Sequence, residues 1–130
     1  VVWAVNPHPK HKLDAAKRYG LIRAIFDERE GAAVNGSRPS PFATDRMLRR
    51  LWEVAEQASP DDYLLPCGNV ILCMMAAGVW LEHFSRLRLL IFGANSLDYE
   101  LRDIPVEQLV RTPTEEEDDG AETAFAKVAR

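Results

Sequence analysis

A chain of 130 residues, 47% apolar and 28% charged, has the length and composition of one domain with a real core, which excludes wholesale disorder and leaves no room for two domains. Its formal charge of -4 is concentrated in Glu115, Glu116, Glu117, Asp118, Asp119 and Glu122, whereas residues 1–114 carry fourteen Lys and Arg against fourteen Asp and Glu. Bulk charge therefore favours neither nucleic acid nor acidic partners.

Val1 to Val5 is a β-branched and aromatic run stopped by Asn6-Pro7-His8-Pro9, which predicts a first buried strand ending in a loop. It is too short for a signal h-region and lacks a basic leader, so secretion is not expected. Asp14 is placed to cap a short helix with Leu13, Ala16 and Tyr19 on one face, and Gly20 to end it as a left-handed residue. Leu21 to Phe26 reads as a second strand, and Asp27 to Ser40, with Gly31, Gly36 and Pro39, as a long mobile loop.

Ser40 before Pro41 starts a second helix, whose stripe Met47, Leu48, Leu51, Trp52 and Ala55 lies opposite Arg46, Arg49, Arg50, Glu53 and Glu56. Tyr63 to Cys67 is a third strand that breaks at Gly68 and enters the apolar segment Asn69 to Phe84. The longest apolar run within that segment, Val70 to Leu81, is about half a membrane span and reads as a buried core helix. Leu87 to Phe92 and Tyr99 to Ile104 flank Gly93-Ala94-Asn95-Ser96, the chemistry of a hairpin turn that makes the last strand antiparallel. A short amphipathic stretch, Val106 to Val110, precedes the acidic run.

This order predicts an α/β fold: a small three-layer Rossmann-like or flavodoxin-like domain over residues 1–110, with a mostly parallel sheet and a C-terminal β-hairpin. Residues 111–130 are expected to be a flexible acidic tail. In such sheets ligands sit outside the carboxyl ends of the strands where strand order reverses, here between the loops after strands one and three. Cys67 and Cys73 form no CxxC motif and have no His or Cys at ligand spacing, so they read as buried thiols in a reducing cytoplasm, with no metal site.

Residues 6–23 hold Lys10, Lys12, Lys17, Arg18 and Arg23, with His8 and His11, against the single acid Asp14. This basic cluster is a source of positive charge for an anionic ligand, or a solvated surface face. Pro66-Cys67-Gly68-Asn69 passes from strand to helix, and Gly68 would let a ligand approach the backbone. Neither a Walker lysine nor a G-x-G-x-x-G fingerprint is present. The candidate ligand-binding residues are Asn6, His8, Lys10, Lys12, Arg18, Gly68 and Asn69. Cys67, at a helix N-terminus, is a nucleophile only if a base approaches it, and otherwise an inert core thiol. Trp3, Trp52 and Trp80 fall on core elements and read as packing. Arg46, Arg49 and Arg50 form a ridge that without a helix-turn-helix pattern reads as a solvated face.

Lys12-Leu13-Asp14-Ala15-Ala16-Lys17-Arg18-Tyr19-Gly20 before a strand, and Asp62-Tyr63-Leu64-Leu65-Pro66-Cys67-Gly68-Asn69 before a small-residue helix, resemble a group of small uncharacterised Rossmann-like proteins of phages, prophages and bacterial mobile elements. The resemblance covers about residues 1–104 and implies the same fold in a bacterial or phage-infected cytoplasm. The chain departs from the pattern around Gly31 to Ser40, at Asn69, where an acidic residue is expected, and in its acidic tail.

The function expected from these features is a non-catalytic accessory or regulatory domain that binds a protein partner, host or viral, or a small anionic ligand, without a cofactor. The alternative is a small enzyme or sensor for a phosphorylated or nucleotide-like ligand at the first crevice. Nucleic acid is a weaker expectation, a membrane is not expected, and a homo-oligomer is compatible with the sequence.

Overall fold

The computed structural model describes residues 1–27 and 41–109. The expected acidic tail 111–130 lies outside them, and so does the expected mobile loop apart from Asp27. The elements are β1 (Val2–Ala4), a 3-10 helix (Asp14–Tyr19), β2 (Ile22–Ala24), α1 (Pro41–Gln57), β3 (Tyr63–Leu65), α2 (Val70–Phe84), β4 (Arg86–Gly93), β5 (Asp98–Pro105) and α3 (Val106–Leu109).

The five strands form one sheet in the order β2-β1-β3-β4-β5. β1 pairs in parallel with both β2 and β3, β3 pairs in parallel with β4, and β5 returns antiparallel along β4. The architecture is thus α/β with a mostly parallel sheet closed by a hairpin. Three of the parallel strands are only three residues long, but their ladders run on past the regular segments. Ile25 and Phe26 donate to the carbonyls of Ala4 and Val5, and Val5 and Asn6 donate to those of Leu65 and Cys67.

Alternation along these strands divides the core in two. Trp3, Val5, Leu64 and Leu87 face one way and pack against Met47, Leu51 and Val54 of α1 and Leu72, Ala76 and Val79 of α2. Val2, Leu65, Leu90 and Tyr99 face the other way and meet Ala16, Leu13 and Tyr19 around the 3-10 helix. One face of the sheet therefore carries two full helices. The other carries one short 3-10 segment against which the hairpin also packs.

Four local expectations are corrected, and the expected short helix is of the 3-10 type: Ala16 N–H donates to Leu13 C=O and Gly20 N–H to Lys17 C=O, three residues back in each case. Six residues held between a loop and a strand return few α-type bonds for the cost of nucleating them. Asp14 does not cap this helix but pairs with Lys17 at 2.8 Å. Gly20 ends it with φ of 141° and ψ of −174°, an extended mirror-image conformation that suits glycine, instead of the left-handed helical one.

The third correction concerns Trp52, which is 38% exposed, with its ring 6.2 Å from His83; Val54 takes the place in the buried stripe that the sequence assigns to it. The fourth is that α2 is not buried all round. Leu72, Ala76, Val79 and Trp80 are buried, yet Val70 and Met74 are 66% and 71% exposed. No helix among the described residues is long and apolar enough to cross a membrane.

Candidate ligand crevice

Helical connections leave the sheet in opposite directions from β1 and β3, since β2 lies on one side of β1 and β4 on the far side of β3. The loops after β1 and β3 must part at this point, leaving a gap above the strand ends. Asn6 joins the floor of that gap. Its Nδ2 donates to the carbonyl of Asp27, and to that of Phe26 at 3.4 Å, while its Oδ1 accepts from the Asn69 N–H at 3.1 Å. One buried side chain thereby ties together the ends of β1, β2 and β3.

Gly68 makes this possible. Its φ is +81°, and a Cβ built there would lie 2.0 Å from the Asn6 carbonyl oxygen. Asn69 then caps α2, its Oδ1 accepting from the Leu72 N–H at 3.1 Å. Asn6, Gly68 and Asn69 are brought together, and they spend their polar groups on one another and on the neighbouring strand ends.

The loop after β1 is knit by a histidine pair. His8 N–H donates to His11 Nδ1 at 2.8 Å, Lys10 N–H donates to His8 Nδ1 at 3.1 Å, and His11 N–H returns to the His8 carbonyl at 2.8 Å. Because His11 Nδ1 accepts, the neutral ring carries its proton on Nε2, where it can donate outward.

Beside this loop opens a cavity of about 310 Å³ lined by Lys10, His11, Lys12, Leu65, Pro66, Cys67, Phe92 and Tyr99. A second, larger depression of about 720 Å³ shares Lys10, His11 and Lys12 and is lined as well by Pro9, Leu13, Asp14, Ala15 and, from the hairpin turn, Leu97. Among the described residues no carboxylate lines the first cavity.

The basic cluster divides here. Lys17 is paired with Asp14, and Arg18 is held at 3.0 Å by Asp98, with further bonds to the Tyr19 hydroxyl and the Tyr99 carbonyl. Arg18 thus fastens the 3-10 helix to β5 and does not line the cavity. Among the described residues Lys10 and Lys12 have no carboxylate partner.

The apolar wall comes from residues that sequence reasoning did not connect to the site. Phe92 and Tyr99 are cross-strand partners on the hairpin, with ring centroids 5.3 Å apart. Tyr99 is 5% exposed, and its hydroxyl has no hydrogen-bond partner among the described residues. Burial, with the nearby Cys67, raises the pKa of this hydroxyl. The hairpin signal marks Phe92 and Tyr99 as lying beside its turn, and the parallel pairing of β4 with β3 carries that turn end to the carboxyl side of the sheet.

Both thiols are held neutral. Burial pushes the Cys67 thiol up, and burial with the adjacent Cys67 pushes Cys73 up to about 11. Cys73 Sγ donates to the Cys67 carbonyl at 3.3 Å. This is the opposite of the lowered pKa that a cysteine nucleophile at a helix N-terminus needs.

The family model of phage Pam3 gp32-like proteins matches residues 4–106. The chain belongs to this family. The phage association expected from the segments at Lys12 to Gly20 and Asp62 to Asn69 therefore holds, and the matched stretch contains every residue lining the cavity of this gp32-like domain. No curated protein and no solved structure matches the chain.

Proposed function

We propose that this gp32-like domain is a non-catalytic phage accessory protein that binds a small anionic ligand in the crevice after β1 and β3, inside the infected cell. The observation that carries the reading is the division of the basic cluster. Lys17 and Arg18 are neutralised by Asp14 and Asp98, while among the described residues Lys10 and Lys12 stand without a carboxylate beside a cavity that has none in its lining. Lysines without a carboxylate partner in the lining of a partly apolar cavity attract an anion. The order β2-β1-β3-β4-β5, although its β5 is antiparallel, supports reading the fold as a small flavodoxin-like domain with its ligand at the reversal point. Binding is preferred to chemistry because the Cys67 thiol in the lining is held neutral.

The test is NMR titration of the labelled full chain with inorganic phosphate, citrate, glycerol 3-phosphate and AMP. At least one anion should move the amides of Lys10 to Lys12, Cys67 and Tyr99, and Lys10→Glu with Lys12→Glu should abolish the shifts. Silence at these amides for all four overturns the reading.

A second reading, protein binding, is favoured by the exposed apolar face of α2 at Val70, Ile71 and Met74. A photo-crosslinker at position 74 in infected cells should give one discrete adduct that the same group at Glu53 does not. No adduct leaves the ligand reading alone.

A further inference from the structure

The ligand class can be narrowed, on the premise that the crevice is a ligand site. On one side of the cavity stand the two unpaired ammonium groups of Lys10 and Lys12, with His11 able to donate through Nε2. On the other stand Leu65, Pro66 and the Phe92–Tyr99 ring pair. A ligand that satisfies both carries charge at one end and a flat apolar body at the other. An inorganic anion would leave the aromatic wall wet.

Phe92 keeps 37% of its surface exposed although its cross-strand neighbour Tyr99 is 95% buried, so the pair presents a ring to the crevice instead of closing it. The Tyr99 hydroxyl, unpartnered among the described residues but not sealed from solvent, adds one neutral donor and acceptor at that wall, the kind of group that reads a heterocycle edge. The cavity beside the rings, about 310 Å³, is at the low end for ligand cavities and matches one ring system and one charged group. Among the described residues this cavity's lining offers no carboxylate to share the Mg²⁺ that usually accompanies a di- or triphosphate, and Asp14 in the adjoining depression is paired with Lys17.

We propose that the crevice takes an aromatic monophosphate of the nucleoside monophosphate class, with the phosphate between Lys10 and Lys12 and the base against Phe92. The phosphate is read by charge, and the ring by stacking and by the Tyr99 hydroxyl.

The experiment compares AMP, adenosine and glycerol 3-phosphate by NMR titration of the labelled full chain, wild type and two variants. AMP should bind at least tenfold more tightly than either fragment. Phe92→Leu, which keeps an apolar side chain but removes the ring, should weaken AMP about tenfold, within the range of base stacking on one aromatic side chain, and leave glycerol 3-phosphate unchanged. Lys10→Gln with Lys12→Gln should weaken AMP and glycerol 3-phosphate together. If glycerol 3-phosphate binds the crevice as tightly as AMP, or Phe92→Leu has no effect, the aromatic inference is overturned while the anion crevice stands. If adenosine binds as tightly as AMP, the phosphate inference is overturned. If none of the three moves the Lys10 to Lys12, Cys67 and Tyr99 amides, the nucleotide proposal fails, and silence with inorganic phosphate and citrate as well removes the crevice reading itself.

Discussion

Replacing Gly68 with alanine tests the junction on which the crevice rests. The new Cβ would lie 2.0 Å from the Asn6 carbonyl oxygen and 2.8 Å from both Cβ and Oδ1 of Asn6, so the contact is with backbone and cannot be relieved by a side-chain rotation. At φ of +81° the alanine also takes on left-handed strain of about 1–2 kcal/mol. Relief requires the ends of β1 and β3 to separate, which breaks the Asn6 N–H bond to Cys67 and the Asn69 N–H bond to Asn6, each worth about 1 kcal/mol net and more where a buried group is left unpaired. The sum is about 3–5 kcal/mol, a large part of the 5–15 kcal/mol typical of a domain. Gly78 is the internal control. It lies within α2, an added Cβ meets nothing within 4 Å, and alanine there should stabilise by about 1 kcal/mol through helix propensity. In urea, with a slope of about 2 kcal/mol/M, the Gly68→Ala midpoint should fall by roughly 2 M and that of Gly78→Ala should rise by about 0.5 M. A Gly68→Ala midpoint indistinguishable from wild type would refute the close contact between Gly68 and Asn6.

Two further predictions follow from the ionisable groups. Burial raises the Asp62 pKa, but hydrogen bonds from Ser59 N–H at 2.9 Å and the Trp3 indole at 3.1 Å, with the hydrogen bond and charge of the Val1 ammonium group at 3.1 Å, together outweigh it, and the net value is lowered. A depressed carboxylate contributes stability above its unfolded pKa of about 3.9 and loses it as pH falls through the folded value. Asp62→Asn should therefore flatten part of the acid limb of the stability curve below about pH 4 while lowering stability at pH 7, and an unchanged acid limb would contradict the assignment. Cys73, pushed up to about 11, has roughly a thousandth of its thiol ionised at pH 8, so a disulfide reagent should modify it slowly in the native protein and rapidly in urea. Native modification at the rate of a free model thiol would show that the burial is not present in solution.

How much of this was legible in the sequence follows from the range over which each signal acts. Turn chemistry and period are local, so Asn6-Pro7, Gly68 and Gly93 to Ser96 marked the ends of β1, β3 and β4 in their own neighbourhoods, and Pro41 marked the start of α1. The α/β order, the antiparallel hairpin and the importance of Asn6, Gly68 and Asn69 could be read in this way. Their roles could not, since a strand-to-helix glycine looks the same whether it admits a ligand or the Asn6 carbonyl.

What the tertiary structure alone decided is pairwise. Lys10, Lys12, Lys17 and Arg18 are alike in a local reading, and only the positions of Asp14 and Asp98 separate the neutralised cations from the unpaired ones. Asp98 lies 80 residues beyond Arg18, and Phe92 and Tyr99 are as distant from Lys10 and Lys12. The strand order β2-β1-β3-β4-β5 brings them together, and that order is set by which edges and faces pack best over the whole chain. The same cause explains Trp52 and the outer face of α2, where apolar residues reach solvent because the sheet offers each helix one face only. Residue type and spacing are properties of a segment, whereas charge compensation, cavity walls and exposure belong to pairs of segments.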